Sequence, residues 1–283
     1  MIESNIIIAK DSGFCFGVKN AFEKTISLTN TAKNICIYGE MVHNKYALNN
    51  LYNKGVIEKE DINEIINDDR IDIVVIRAHG VSPKEEQILR ESNKQIVDLT
   101  CPKVKNIQLL AKKLADDNYF IFIYGKENHP EVIGIKGYCE DKNLVIKEKS
   151  DIDKIANNIK KIALISQTTM NSDKFHSISV FIKQKMPNID IYDTLCKAPI
   201  NKQNEAIALS KSVDCMIVVG DRLSSNTVTL FEKLKEVIPS FFIEKIEDID
   251  IEKIKNYDKI GISGGSSTSY EQLEQIKNYL LTI

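Results

Sequence analysis

Short apolar runs recur along the whole chain, and most are continuous rather than alternating. They are Ile6–Ile8, Ile35–Tyr38, Ile71–Ile76, Ile96–Val97, Phe120–Tyr124, Ile162–Ile165, Ile189–Tyr192, Met216–Val219 and Ile260–Ile262. Strands buried on both faces read this way, and such strands belong to parallel sheets covered by helices. Between most runs the apolar period lengthens to that of a helix. Val104, Ile107, Ala111 and Leu114 show it, as do Val18, Ala21, Phe22 and Thr25. The alternation predicts an α/β fold with mostly parallel sheets.

Composition narrows the class. The 283 residues are 43% hydrophobic and 28% charged, with a net charge of −2, which is ordinary for a folded chain and excludes a disordered one. So even a balance leaves no electrostatic footprint for nucleic acid. No apolar run approaches the roughly 20 residues that span a bilayer. Residues Met1 to Lys10 lack the basic start and small-residue cleavage site of a signal peptide. Six cysteines, Cys15, Cys36, Cys101, Cys139, Cys196 and Cys215, are widely spread without close pairs. That argues for reduced thiols in the cytoplasm rather than a disulfide framework.

In such folds ligands sit beyond the carboxyl ends of strands, and nearly every predicted strand is followed by chemistry. The following segments are Gly13-Phe-Cys15-Phe-Gly17, Gly39-Glu-Met-Val-His43-Asn44, Arg77-Ala-His79-Gly80, Thr100-Cys101-Pro102 and Asn128-His129-Pro-Glu131. Then come Gln167-Thr168-Thr169, Thr194-Leu-Cys196, Ser224-Ser225-Asn226 and Gly264-Gly-Ser-Ser267-Thr268. The spacing repeats. Cys15 to His43, Cys101 to His129 and Cys196 to Ser224 are each 28 residues, and His79, Thr168 and Ser267 follow after 36, 39 and 43 more. Three copies of one α/β unit are expected: residues 14–97, residues 98–193, and residues 194–283 together with 1–13.

Arranged about a pseudo-threefold axis, three such units would bring three thiolates to one point. Three thiolates suit a soft metal centre. Structural zinc usually takes a fourth protein ligand. An iron–sulfur cube on three cysteines leaves one iron open to act as a Lewis acid and to pass electrons. The Ser224-Ser225-Asn226 and Gly264–Thr268 segments lie where a strand turns into a helix, a place that favours phosphate groups. Glu131 is the best candidate acid. Cys101 precedes Pro102, a favoured first helical residue, so its thiol stands at a helix start. Cys36, Cys139 and Cys215 read as core thiols, and His176, within a helical stretch, as structural.

Taken in order from Gly13 to Ser267, these motifs resemble the 4-hydroxy-3-methylbut-2-enyl diphosphate reductase family. Those that carry the resemblance are Gly-Phe-Cys15-Phe-Gly-Val, Gly-Glu-Met-Val-His43-Asn, Ala-His79-Gly-Val-Ser, Thr-Cys101-Pro and His129-Pro-Glu131-Val-Ile-Gly, followed by Gln167-Thr168-Thr169, Cys196, Ser224-Ser225-Asn226 and Gly265-Ser266-Ser267. The resemblance implies a three-unit trefoil around one 4Fe-4S cluster on Cys15, Cys101 and Cys196. It implies reductive removal of the substrate's allylic hydroxyl at the unique iron, giving isopentenyl and dimethylallyl diphosphates, the last step of the methylerythritol phosphate pathway. His43, His79, His129, Ser224, Ser225, Asn226 and Ser267 would hold the diphosphate, Thr168 would orient the hydroxyl, and Glu131 would supply protons. A ferredoxin or flavodoxin would donate electrons. Two departures stand out. Lys197-Ala198-Pro199 follows the third cysteine where the family usually has Asp- or Asn-Ala-Thr, and Ser269 replaces a usual Pro.

Two other readings use the same cysteines. One is a cluster dehydratase of the quinolinate synthase type, which needs no reductant. The other is a non-enzymatic iron–sulfur redox sensor, which would carry a partner surface, basic for DNA. The histidines and Ser/Gly loops favour a diphosphate ligand over the first, and the balanced charge argues against the second.

Overall fold

The structure is a computed structural model and describes residues 5–31, 33–154 and 160–283. These form twelve strands. In chain order they are β1 (Ile6–Ile8), β2 (Ile35–Tyr38), β3 (Ile57–Lys59), β4 (Ile73–Ile76), β5 (Gln95–Asp98) and β6 (Phe120–Tyr124). There follow β7 (Asn143–Ile146), β8 (Ile162–Ser166), β9 (Asp190–Ile191), β10 (Cys215–Val219), β11 (Ser240–Ile243) and β12 (Ile260–Gly264).

The strands make three four-stranded sheets, ordered β3-β2-β4-β5, β7-β6-β8-β9 and β11-β10-β12-β1. The described strand pairings are parallel. Counted from the strand after each of Cys15, Cys101 and Cys196, every sheet has the order second–first–third–fourth. The amino-terminal strand β1 fills the fourth place in the last sheet, pairing Ile6 with Ile260 and Ile8 with Ile262. The predicted α/β class with three similar parallel units is what the chain adopts.

Burial explains the continuous apolar runs. In β10, Cys215, Ile217 and Val219 join one buried cluster while Met216 and Val218 join another. In β6, Ile121 and Ile123 face one cluster and Phe122 and Tyr124 the other. Both faces of these strands are covered by helices, so no position is left for a polar residue. Each expected run contains a strand. The run at Ile71–Ile76 is trimmed at its start, because Ile71 closes a turn onto the Asp68 carbonyl at 3.0 Å. The pattern missed β3, β7 and β11. All three hold the same edge place, and each is largely part-exposed.

The chain divides into two compact units. One comprises Met1–Ala32, Glu40–Ile57 and Lys197–Ile283 and holds the sheet of β1, β10, β11 and β12. The other comprises Lys33–Gly39 and Glu58–Cys196 and holds the sheets of β2 to β5 and β6 to β9, except that β3 begins at the boundary.

Candidate active site

The expected site residues follow the first, third and fourth strands of each sheet. His43, His129 and Ser224 follow β2, β6 and β10; His79, Thr168 and Ser267 follow β4, β8 and β12; Cys101, Cys196 and Cys15 follow β5, β9 and β1. The second strand of each sheet is followed by none of them. In this order the first and third strands flank the point where the chain reverses its direction of winding, which is where open α/β sheets bind ligands.

In the second unit, six expected residues are linked in one chain of contacts. Glu131, on the helix Pro130–Tyr138, is 1% exposed. Its Oε1 accepts the Thr168 N–H at 2.6 Å and its Oε2 accepts the Thr168 hydroxyl at 2.7 Å. The Thr168 carbonyl accepts the Cys196 N–H at 2.8 Å. His129 caps the Glu131 helix, its Nδ1 accepting the Glu131 N–H at 3.1 Å. In a neutral imidazole that leaves Nε2 as the donor. The His79 ring meets the His129 ring edge-on, centroids 5.3 Å apart. The Cys101 N–H bonds to the carbonyl of Ala78, next to His79, at 3.0 Å.

Gln108 braces this network. It lies buried on the helix Pro102–Asp116 that begins after Cys101, and its Nε2 donates to the Val81 carbonyl at 3.3 Å. Gly80, beside His79, has φ +68°, and a Cβ there would stand 2.6 Å from that Nε2. The close approach and the left-handed backbone both require glycine. Burial pushes the Glu131 carboxyl up to about 7, with the two hydrogen bonds from Thr168 opposing the rise. A carboxyl so placed holds or releases a proton near neutral pH.

The first unit holds hydroxyls instead. Ser224 caps the helix Ser225–Lys235, which Ser225 and Asn226 open. Its Oγ accepts from the Thr227 N–H at 3.4 Å, the Thr227 hydroxyl at 3.0 Å and the Ser267 hydroxyl at 2.9 Å. A Cβ on Gly265 would meet Thr227 Oγ1 at 2.2 Å, so glycine lets the Ser267 loop lie against the helix start. The Ser266 hydroxyl is buried and makes no hydrogen bond, while its carbonyl accepts the Cys15 N–H at 3.2 Å. Such an orphaned group beside a helix amino terminus suits an anion. His43 Nδ1 stands 2.6 Å from Glu40 Oε2, an ion-pair distance outside hydrogen-bond geometry. The adjacent Asn44 caps the helix Lys45–Tyr52 and donates to Gln272 at 3.1 Å.

The six cysteines fall into two sets of three. Cys36, Cys139 and Cys215 are fully buried, and burial pushes their thiols up to about 11, 12 and 12. Cys15, Cys101 and Cys196 are half-buried, and each immediately precedes a helix. Neither Cys15 nor Cys101 spends its side chain on capping that helix. Thiolates are favoured at helix starts and are the ligands of iron–sulfur clusters, so the chemistry of this donor set fits a three-cysteine cluster. Among the described residues, no three His, Cys, Asp or Glu side chains converge on a single ion.

Both departures from the family pattern have a local account. Ser269 caps the helix Tyr270–Leu280, accepting the Gln272 N–H at 3.1 Å. Pro199 falls in the first turn of the helix Lys197–Ser210, where a missing N–H costs no helical bond. Glu40, Thr227, Ser266 and Gln108 were not singled out in the sequence. Glu40 and Ser266 sit inside quoted motifs and were within reach. Thr227 and Gln108 acquire their places only through packing.

Half-exposed thiols, a buried acid and a hydroxyl cradle, all at the carboxyl ends of parallel strands, define an α/β enzyme. Residues 6–281 match the family described as LytB protein. The 4-hydroxy-3-methylbut-2-enyl diphosphate reductase of Caldanaerobacter subterraneus subsp. tengcongensis is 36% identical over 280 residues, covering 96% of this chain and 94% of the relative. The enzyme of that name from Clostridioides difficile is also 36% identical, over 98% and 99% of the two chains. Among solved structures, the E-1-hydroxy-2-methyl-but-2-enyl-4-diphosphate reductase from Plasmodium falciparum superimposes with a TM-score of 0.85 at 28% identity, covering 97% of this chain and 87% of that one. The chain belongs to the LytB protein family and is an oxidoreductase.

Proposed function

We propose that this chain reduces 4-hydroxy-3-methylbut-2-enyl diphosphate to isopentenyl and dimethylallyl diphosphates, closing the methylerythritol phosphate route. The reaction breaks the allylic C–O bond, consumes two electrons and two protons, and releases one water. The single observation that carries the reading is the buried Glu131–Thr168 pair, whose Thr168 carbonyl holds the backbone of Cys196.

Cys15, Cys101 and Cys196 would hold one 4Fe-4S cluster. When bound, it supplies electrons and a Lewis-acidic iron. The chain's own residues do the rest. The hydroxyls of Ser224, Ser225 and Ser267, the Asn226 amide and the imidazoles of His43, His79 and His129 bind the diphosphate. Thr168 orients the departing hydroxyl. Protonated Glu131 gives its proton to that oxygen as it leaves as water. Burial of Glu131 supports this role, because it keeps the acid form available near neutral pH. The repeats 14–97, 98–193 and 194–283 with 1–13 lend three, four and five of these residues, one cysteine each. A ferredoxin or flavodoxin in the cytoplasm supplies the electrons.

The test is anaerobic turnover of reconstituted protein with a low-potential donor. Reduction of the diphosphate supports the reading, with Cys196→Ser losing both iron and turnover. Conversion of substrate without any reductant would favour dehydration chemistry instead.

A further inference from the structure

Lys202 is a charged side chain with no ordinary reason to be buried. It lies on the helix Lys197–Ser210 and is 8% exposed. Lysines are almost never buried unless paired, because desolvating an ammonium is costly. No carboxylate among the described residues forms an ion pair with it. Among the described residues, its ammonium donates to the backbone carbonyl of Asp11. Its electrostatic neighbours are Cys15 and Asp11, and both favour the charged form.

The carbonyl that Lys202 holds belongs to the loop that presents Cys15. That loop leaves β1 with the Ala9 N–H on the Ile262 carbonyl at 2.9 Å. The Ser12 and Ser263 hydroxyls meet at 3.1 Å, and the loop ends with the Cys15 N–H on the Ser266 carbonyl. Every other tie in this set is neutral. Lys202 alone brings a full positive charge into it.

We propose that Lys202 is a positioning residue whose ammonium clamps the Cys15 loop and compensates the negative charge of a cluster bound through Cys15. The inference rests on the proposed role of Cys15 as a ligand. A fixed cation beside a cluster favours the reduced state, which carries one more negative charge. Burial holds the Lys202 pKa below the ordinary lysine value, with Cys15 as the largest opposing influence.

The experiment compares the full-length chain with Lys202→Met and Lys202→Arg after anaerobic reconstitution. Iron content is measured first, then the cluster potential by a redox titration followed by electron paramagnetic resonance. Lys202→Met is expected to make reduction about tenfold less favourable, which is about 60 mV for one electron. Lys202→Arg is expected to stay near the parent value. Loss of iron in Lys202→Met with retention in Lys202→Arg equally supports a charge requirement. An unchanged potential in iron-loaded Lys202→Met overturns the proposal, and so does equal loss of iron in both variants. Failure of the parent chain itself to load iron overturns the ligand reading of Cys15 instead, so the two failures are told apart.

Discussion

The loops after β6 and β8 and the loops after β10 and β12 occupy the same places in sheets of the same topology, yet they are chemically opposite. In the first pair, Glu131 and Thr168 form a carboxyl–hydroxyl couple that is almost wholly buried. In the second, Ser224, Ser267 and Thr227 form a neutral hydroxyl cluster beside a helix start. One backbone design therefore fixes where a side chain stands, and the residue placed there decides whether that place holds a buried carboxyl or a cluster of hydroxyls. Function lies in the grafted residues rather than in the fold.

The sharpest way to break this contrast is Glu131→Gln. Turnover is expected to fall by roughly 10²- to 10⁴-fold, the usual worth of a positioned acid, while the diphosphate still binds. Steady-state kinetics and calorimetry check the two halves, and unchanged turnover removes Glu131 from the chemistry. The same variant carries a stability signature. Because the folded-state pKa is raised from 4.5 to about 7, the folded chain binds more protons than the unfolded one between those values. The contribution is present in full below about pH 4.5 and is lost as pH rises through about 7. Denaturation across that window is expected to show this slope in the parent and not in Glu131→Gln.

Thr168→Val sharpens the same couple at smaller cost. It keeps the N–H bond to Glu131 and removes the hydroxyl bond, which had favoured the ionised carboxylate. The alkaline limb of the pH–rate profile is expected to move upward, with kcat down about tenfold, a loss of roughly 1.4 kcal/mol. A limb that moves downward contradicts the assignment. On the other side of the comparison, Ser224→Ala is expected to raise KM about tenfold while kcat changes little. Removing its helix cap also costs about 1 kcal/mol in urea denaturation. A fall in kcat alone places Ser224 in the chemistry rather than in anion binding. Smallest in effect on activity is Ser269→Ala, which removes a cap of the same kind from the helix Tyr270–Leu280. About 1 kcal/mol of stability is expected to go with it, and none of the turnover.

Much of this was legible in the chain. The doubly buried strands announced themselves as continuous apolar runs, and the residues after them carried the motifs. The strands that escaped, β3, β7 and β11, each take the corresponding edge of their own sheet and lead to no expected site residue. Their part-exposed positions blur the apolar signal, as Ile57-Glu58-Lys59 shows. Glu131 could be named as an acid from its neighbours, but its burial and raised pKa are products of tertiary packing. Lys202 gave no signal at all. Six residues past Cys196, it reads as one more solvated lysine until the helix is packed.

The claim beneath all of these comparisons is that the three cysteines at helix starts, and not the three in the core, hold the metal. Iron and sulfide analysis of anaerobically reconstituted protein tests it directly, comparing the parent with a chain in which Cys15, Cys101 and Cys196 are all serine. About four irons and four sulfides per parent chain, the content of one cube, and none in the variant is the expected result. Equal iron in the two proteins contradicts the account.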